Sequence, residues 1–294
     1  MDFSKLNKEQ IIAVEHKKGP LLVLSGAGTG KTRVLTSRFV YIVQKLNVNF
    51  NEIIAVTFTN KAANEIKERV NAELKSSIDS PWIGTFHSIF AKFLRKHSGL
   101  VNLKSNFTIL DIEDQKKLLK QVLDYCKIDK DISEGIYHNE IQNLKDNKIL
   151  FNEKKNISRI SSIERLDDIY SYYQQRLIEI NAVDFGDILL HSYYILSNNL
   201  EIKKSYQDFI QHVLIDEFQD TNLIQYDLIK LILNHDKNLF CVGDDDQSIY
   251  AWRGANIENI INFPKEFNSP VVRLTKNYRS NSSILEAAAC IISN

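Results

Sequence analysis

The segment Leu21-Leu22-Val23-Leu24-Ser25-Gly26-Ala27-Gly28-Thr29-Gly30-Lys31-Thr32 constrains this chain more than any other. Its apolar residues suit a strand buried on both faces. Gly26, Gly28 and Gly30 then allow a tight turn of the backbone, and residues 32–46 continue with helical period. In a strand–glycine loop–helix unit, the loop N–H groups and the helix N-terminus point at one place and favour an anion there. The strict phosphate-loop pattern has a first Gly four intervening residues ahead of the Gly-Lys-Thr. Ser25, also small, holds that place here. Lys31 is expected to reach the β- and γ-phosphates of a nucleotide, and the Thr32 hydroxyl to serve Mg²⁺.

Further short apolar runs lie at residues 53–58, 82–85, 213–215, 239–242 and 271–274. Amphipathic stretches at 62–74 and 86–96 follow two of them. Strand then helix, repeated, predicts βαβ units and an α/β fold built on a doubly wound parallel sheet. From 111 to 199 the pattern turns mostly helical, at 113–126, 136–146, 163–180 and 187–196. That unbroken series reads as an all-helical subdomain inserted into the α/β domain, rather than helices coating the sheet. The expected parts are 1–110 and 200–280 for the nucleotide-binding domain, 111–199 for the insertion, and 281–294 for the start of something further.

Composition narrows the function classes. Lys plus Arg and Asp plus Glu are 37 each in 294 residues, so the chain is not wholesale cationic, though a local basic face remains open. Ten Gly and four Pro leave no room for a long low-complexity linker. Cys126, Cys241 and Cys290 are too few and too scattered for a disulfide framework or a thiolate metal site, and they fit a reducing compartment. The first residues carry no apolar core of a signal peptide, and no apolar run approaches the roughly 20 residues that span a bilayer. The chain reads as cytoplasmic, with no membrane partner.

A phosphate loop needs an acid from another strand. Val213-Leu214-Ile215-Asp216-Glu217 ends an apolar run in two acids. Asp216 is expected to hold Mg²⁺, directly or through water. Glu217 beside it is placed to polarise the attacking water as general base, which fits a hydrolase better than a small-molecule kinase. Leu239-Phe240-Cys241-Val242-Gly243 leads into Asp244-Asp245-Asp246-Gln247. Gln247 would bond the γ-phosphate or the water. For the three Asp, a loop at a strand end is preferred over a metal cluster.

Taken in order, these residues resemble the UvrD/PcrA/Rep family of superfamily 1 DNA helicases. Leu6-Asn7-Lys8-Glu9-Gln10 resembles the family's adenine-reading Q motif, and Ser25 to Arg33 its motif I. Thr57-Phe58-Thr59-Asn60-Lys61-Ala62-Ala63 resembles motif Ia, and Gly84-Thr85-Phe86-His87-Ser88 motif Ib. Ile215-Asp216-Glu217-Phe218-Gln219-Asp220-Thr221-Asn222 resembles motif II. Residues 242–254, closing on Gln247-Ser248-Ile249-Tyr250-Ala251-Trp252-Arg253-Gly254, resemble motif III, and Asn277-Tyr278-Arg279-Ser280 motif IV. Ser25 stands where the family often has Ala. In Asp184-Phe185-Gly186-Asp187 the family usually has Asp for Gly186, which touches only a local helix start. Family members are more than twice as long and carry a second RecA-like domain after motif IV.

The resemblance implies a P-loop RecA-like fold and the N-terminal half of an ATP-dependent 3′–5′ motor acting on single-stranded DNA and DNA junctions in repair or replication. It implies ATP and Mg²⁺ as cofactors, with Gly26, Ala27, Gly28, Thr29 and Gly30 around the phosphates. Gln10, Arg33 and Tyr278 would frame the adenine. Arg279 would reach the γ-phosphate, although its segment is expected to have little to pack against without the next domain. Phe58, Tyr250 and Trp252 would stack on bases. Phe58, which ends an apolar run, fits the core equally well; the flanks of Trp252, Ala251 and Arg253, and Gly254 after them favour an exposed loop. Asn60, Thr85, His87 and Arg253 would contact phosphate or sugar. His87 has no companion ligand at metal spacing. The rival readings are an ATP- and DNA-binding module with little turnover, a subunit of a helicase–nuclease and a nucleotide kinase.

Overall fold

The computed structural model describes residues 3–75, 80, 82–128, 133–248, 254–281, 283–285, 287 and 290. The strands are β1 Leu21–Ser25, β2 Ile53–Thr57, β3 Ile83–Thr85, β4 Thr108–Ile109, β5 Ala182–Val183, β6 His212–Ile215, β7 Leu239–Gly243 and β8 Val271–Leu274. The helices are α1 Lys8–Val14, α2 Lys31–Lys45, α3 Asn60–Leu74, α4 Phe86–His97, α5 Ile112–Tyr125, α6 Glu134–Asp146, α7 Lys154–Ile160, α8 Leu166–Glu179, α9 Phe185–Asn198, α10 Leu200–Phe209, α11 Leu223–Ile232 and α12 Glu258–Phe267.

Each apolar run named above forms one strand of a six-stranded sheet in the order β3-β2-β6-β7-β1-β8. Every neighbouring pair is parallel. Strands β1, β2, β6 and β7 are buried at every residue, which is why each reads as a continuous apolar run. Parallel pairing puts all six carboxyl ends along one edge. Thr57 aligns with Thr85, Val56 with Ile215, and Leu24 with Gly243. The loops that leave this edge carry the residues of interest, as the geometry of open parallel sheets requires. One face of the sheet packs Val34, Leu35, Phe39 and Ile42 of α2 against Val23, Ala55, Leu214 and Phe240.

The chain divides into two compact units. One comprises Met1–Ile89, Lys203–Asn222 and Ile229–Asn294; the other comprises Phe90–Ile202 and Leu223–Leu228. The second is wider than the 111–199 read from helical period. Its small β4–β5 pair ties Thr108 to Ala182 and draws in the segment before residue 111. Its core is Leu119, Val122, Tyr137, Leu144, Ile169, Tyr170, Tyr173 and Leu177 among others, from α5, α6 and α8.

A charge cluster is buried in this second unit. Lys145 Nζ lies 2.6 Å from Asp184 and 2.7 Å from Asp187, all three inaccessible to solvent. Asp184 caps α9 and Asp187 reciprocates in a capping box, so the helix start at Phe185 is intact with Gly186 in it. A Cβ at Gly186 would stand 2.7 Å from Lys145 Cδ, so the lysine stem fills the space a side chain would need. Burial alone would discharge Lys145, yet the two carboxylates outweigh it and hold its pKa above the ordinary value. Burial would likewise raise Asp184, and the lysine carries it below the usual carboxylate range. Among the described residues no helix is long and apolar enough to cross a membrane.

Candidate nucleotide site at the carboxyl edge of the sheet

The glycine loop leaves β1 and enters α2 at Lys31. Gly28 and Gly30 take left-handed backbone angles, φ +75° and +98°, where a side chain would be strained. Gly30 is the N-cap of α2 and puts no side chain over the first-turn N–H groups. Inside the loop the Thr29 hydroxyl donates to the Gly26 carbonyl at 2.8 Å and shares a hydrogen bond with the Ser25 hydroxyl. A serine in the first-glycine position is therefore used to shape the loop.

Two strand spacings separate β1 from β6, with β7 between them. Lys31 bridges that distance. Its Nζ lies 3.3 Å from Glu217 Oε2 and 3.8 Å from Asp244 Oδ2, the latter at the end of β7. Asp216 follows β6 directly, is buried, and its N–H donates to Val56 of β2 at 2.9 Å. Burial, then the neighbouring Glu217 charge, push the Asp216 carboxyl up to about 7. The same two causes push Asp220 up to about 6, and burial raises Asp244. Glu217 sits at φ +49°, the left-handed region, an uncommon state for a residue with a side chain and one that clusters at functional sites.

Among the described residues the buried atoms Lys31 Nζ, Asp216 Oδ1 and Asp220 Oδ1 have no hydrogen-bond partner, Lys31 having only its ion-pair contacts to Glu217 and Asp244. A cation and carboxylate oxygens left in that condition suit phosphate and a hard divalent ion. Among the described residues no group of three or more His, Cys, Asp and Glu could hold a metal by itself. The donor set of one carboxylate and the Thr32 hydroxyl fits an ion such as Mg²⁺ that takes its remaining ligands from phosphate and water.

The other sequence-derived positions fall in three groups. Gln10 is buried on α1; Oε1 accepts from the Asn7 N–H at 3.0 Å and Nε2 donates to the Thr29 carbonyl at 3.1 Å. Arg33 donates to the Lys5 carbonyl at 3.1 Å. The Tyr278 N–H donates to the Gly28 carbonyl at 2.9 Å, and its hydroxyl accepts from Asn7 Nδ2 at 3.0 Å. Gln10, Arg33 and Tyr278 thus surround the loop. Arg279 is exposed, yet its Cβ is close enough to Gly28 to exclude a methyl group there. Its segment is also pinned by Asn277 Nδ2 to the Ala27 carbonyl and by Thr275 to Glu9. The expectation that this segment has little to pack against is corrected: the glycine loop and α1 supply its partners.

Phe58, Asn60, Thr85 and His87 stand at the carboxyl ends of the adjacent strands β2 and β3, or in the first turn of α3 and α4. Phe58 is half-buried and Asn60 exposed. Tyr250, Trp252 and Arg253 lie outside the described residues. Gln247 donates to Asp244 Oδ2. Sequence reasoning missed Asp244 and Gln219. Gln219 Nε2 donates to Glu217 at 2.9 Å and its Oε1 accepts from the Asp244 N–H at 3.0 Å. Their only signal was position: the first polar residue after a buried strand, and a second amide two residues beyond the paired acids.

A parallel sheet with a glycine loop on one strand and paired acids two strands away defines an α/β P-loop protein of the RecA-like kind. A profile described as the UvrD/REP helicase N-terminal domain matches residues 6–268, and the chain belongs to that family. It is 44% identical over 294 residues to a probable DNA helicase II homolog of Rickettsia felis, covering 98% of this chain and 45% of that protein. It is 40% identical over 292 residues to the ATP-dependent DNA helicase PcrA of Staphylococcus aureus, covering 98% of this chain and 40% of that protein. The chain thus spans less than half the length of these relatives.

Proposed function

We propose that this chain is the ATP-binding N-terminal half of a DNA helicase motor. It would bind and hydrolyse Mg-ATP and couple hydrolysis to 3′–5′ movement on single-stranded DNA, working in the cytoplasm in repair or replication. The observation that carries this reading is the approach of Lys31 and Glu217 at 3.3 Å, a phosphate-loop lysine against the carboxylate that follows a strand-end Asp. The loop N–H groups and Lys31 hold the phosphates. Thr32 and Asp216 would hold Mg²⁺, which when bound neutralises charge on the phosphate oxygens. Glu217 takes a proton from the attacking water. Gln247 and Arg279 serve the γ-phosphate, and Gln10, Arg33 and Tyr278 the adenine.

Phe58, Asn60, Thr85 and His87, with Tyr250, Trp252 and Arg253, would form the DNA track, aromatic faces for bases and polar groups for the backbone. A second RecA-like domain is the expected partner, closing on the nucleotide and supplying another arginine, with repair or replication proteins beyond it. The test measures ATP binding and hydrolysis by the 294-residue chain with and without oligothymidylate. Binding of Mg-ATP and slow hydrolysis that rises with single-stranded DNA is expected. A chain that binds no ATP would refute the assignment.

A further inference from the structure

Gln219 joins Glu217 to strand β7 by the two ends of one amide. It is 2% exposed, in the short turn Phe218–Asp220. Its Nε2 donates to Glu217 Oε2 at 2.9 Å, and its Oε1 accepts from the backbone N–H of Asp244 at 3.0 Å. The partners fix the orientation of the amide. Reversed, it would set a carbonyl against a carboxylate and an NH₂ against an N–H.

The neighbourhood is built to admit this side chain. A Cβ at Gly243 would lie 2.9 Å from Gln219 Oε1 and 2.8 Å from Ile260 Cδ1, so the last residue of β7 must be small. Glu217, by contrast, is about one-third exposed, at 35%, and among the described residues its carboxylate has one anchored hydrogen bond, from Gln219, besides the Lys31 pair. Lysine is a mobile point charge on a long stem, whereas a buried amide directs its donor along one line. Asp244 also accepts from Gln247, so Glu217 and Gln247 share one anchor at the end of β7.

We propose that Gln219 is a positioning residue for ATP hydrolysis, aiming the Glu217 carboxylate and locking that aim to the Asp244 N–H of β7. The inference rests on the reading of Glu217 as the base. A general base acts only within hydrogen-bond reach of the water, and a displacement of about 1 Å is worth roughly 10² in rate.

Two substitutions separate the two bonds. Gln219→Leu removes both. Gln219→Glu keeps an acceptor for the Asp244 N–H and replaces the donor to Glu217 with a second carboxylate. Melting temperature, ATP affinity and the single-turnover hydrolysis rate are measured for each, beside Glu217→Gln and the Gln219→Glu/Glu217→Gln double variant. Gln219→Glu buries a second carboxylate beside Glu217, so its melting temperature is expected to fall; assayed below that temperature, it is expected to keep its ATP affinity to within about 3-fold while hydrolysis falls at least roughly 10-fold. The double variant is expected to be no slower than Glu217→Gln alone, because both changes act through one carboxylate. If Gln219→Leu fails to fold, Gln219→Glu still decides.

Wild-type hydrolysis by Gln219→Glu, with Glu217→Gln inactive, overturns the proposal; so do losses that multiply in the double variant. A Glu217→Gln variant that hydrolyses ATP normally refutes the base itself, a result distinct from either.

Discussion

Lys31 Nζ stands 3.3 Å from Glu217 Oε2, although the two residues leave strands that are not neighbours. The lysine reaches past the end of β7, whose last residue is Gly243, and comes within 3.8 Å of Asp244 Oδ2 on the way. In the proposed function the cation serves phosphate oxygens and the anion a water.

Removing the lysine tests the phosphate half of this arrangement. Lys31→Ala should lower Mg-ATP affinity by roughly 10- to 100-fold, the worth of about 1.5–3 kcal/mol in hydrogen bonds to charged groups. The fold should persist, because the ammonium group pairs with Glu217 and Asp244 at the edge of the sheet and Lys31 is not one of the residues of the apolar core. Titration with a fluorescent ATP analogue, with circular dichroism as the control, checks both parts.

Two glycines with similar backbone angles should respond differently to alanine. At Gly28, φ +75°, a new Cβ would lie 2.6 Å from Arg279 Cβ and 2.9 Å from Asn277 Oδ1. At Gly19, φ +85°, no atom of the described residues lies within 4 Å of the added Cβ. Both changes carry about 1–2 kcal/mol of left-handed strain. Only Gly28→Ala should also push residues 277–279 off the loop and weaken ATP binding. Equal ATP affinities in the two variants would show that this contact does not matter to the site.

The buried charge cluster of the second unit gives a stability prediction. Lys145→Met leaves Asp184 and Asp187 buried without their cation, which should cost about 3–5 kcal/mol. Urea denaturation measures it. A loss below about 1 kcal/mol would mean that the carboxylates find another partner.

His212, buried at the start of β6, predicts a pH dependence. Burial, then the nearby Arg38 charge, press its pKa down to about 4. A base depressed in the folded state is protonated first in the unfolded chain, so stability is full above pH about 6.5 and is lost as pH falls toward 4. The shift corresponds to about 3 kcal/mol. His212→Gln should therefore lose less stability than the parent chain between pH 7 and 4.5. Because burial also lowers His16, His138 and His191, some slope should remain in the variant. Parallel curves for the two proteins would exclude the histidine as a source.

Strands β1, β2, β6 and β7 were legible because burial on both faces leaves unbroken apolar runs. The pair β4–β5 was not, since two residues per strand carry no period. Helix α1, seven residues long, hid for the same reason, although its cap Asn7 and Gln10 form a capping box. Within the site, the loop and the Asp216–Glu217 pair were readable because their chemistry is contiguous in sequence. Asp244 beside Lys31 and Asn277 on Ala27 were not, because those pairings are made by strand order and by a segment folding back over the loop; Gln219 lies only two residues from Glu217, but the turn Phe218–Asp220 that aims its amide has no mark in the sequence.

In the proposed reaction Glu217 draws the proton from a water attacking ATP held by Lys31. Glu217→Gln keeps the shape of the side chain and removes its basicity. Single-turnover hydrolysis and ATP affinity measured on the same preparation test it most directly. ATP affinity within about 3-fold of the parent chain is expected, with hydrolysis slowed by roughly 10²-fold or more. Hydrolysis at the parent rate would contradict it.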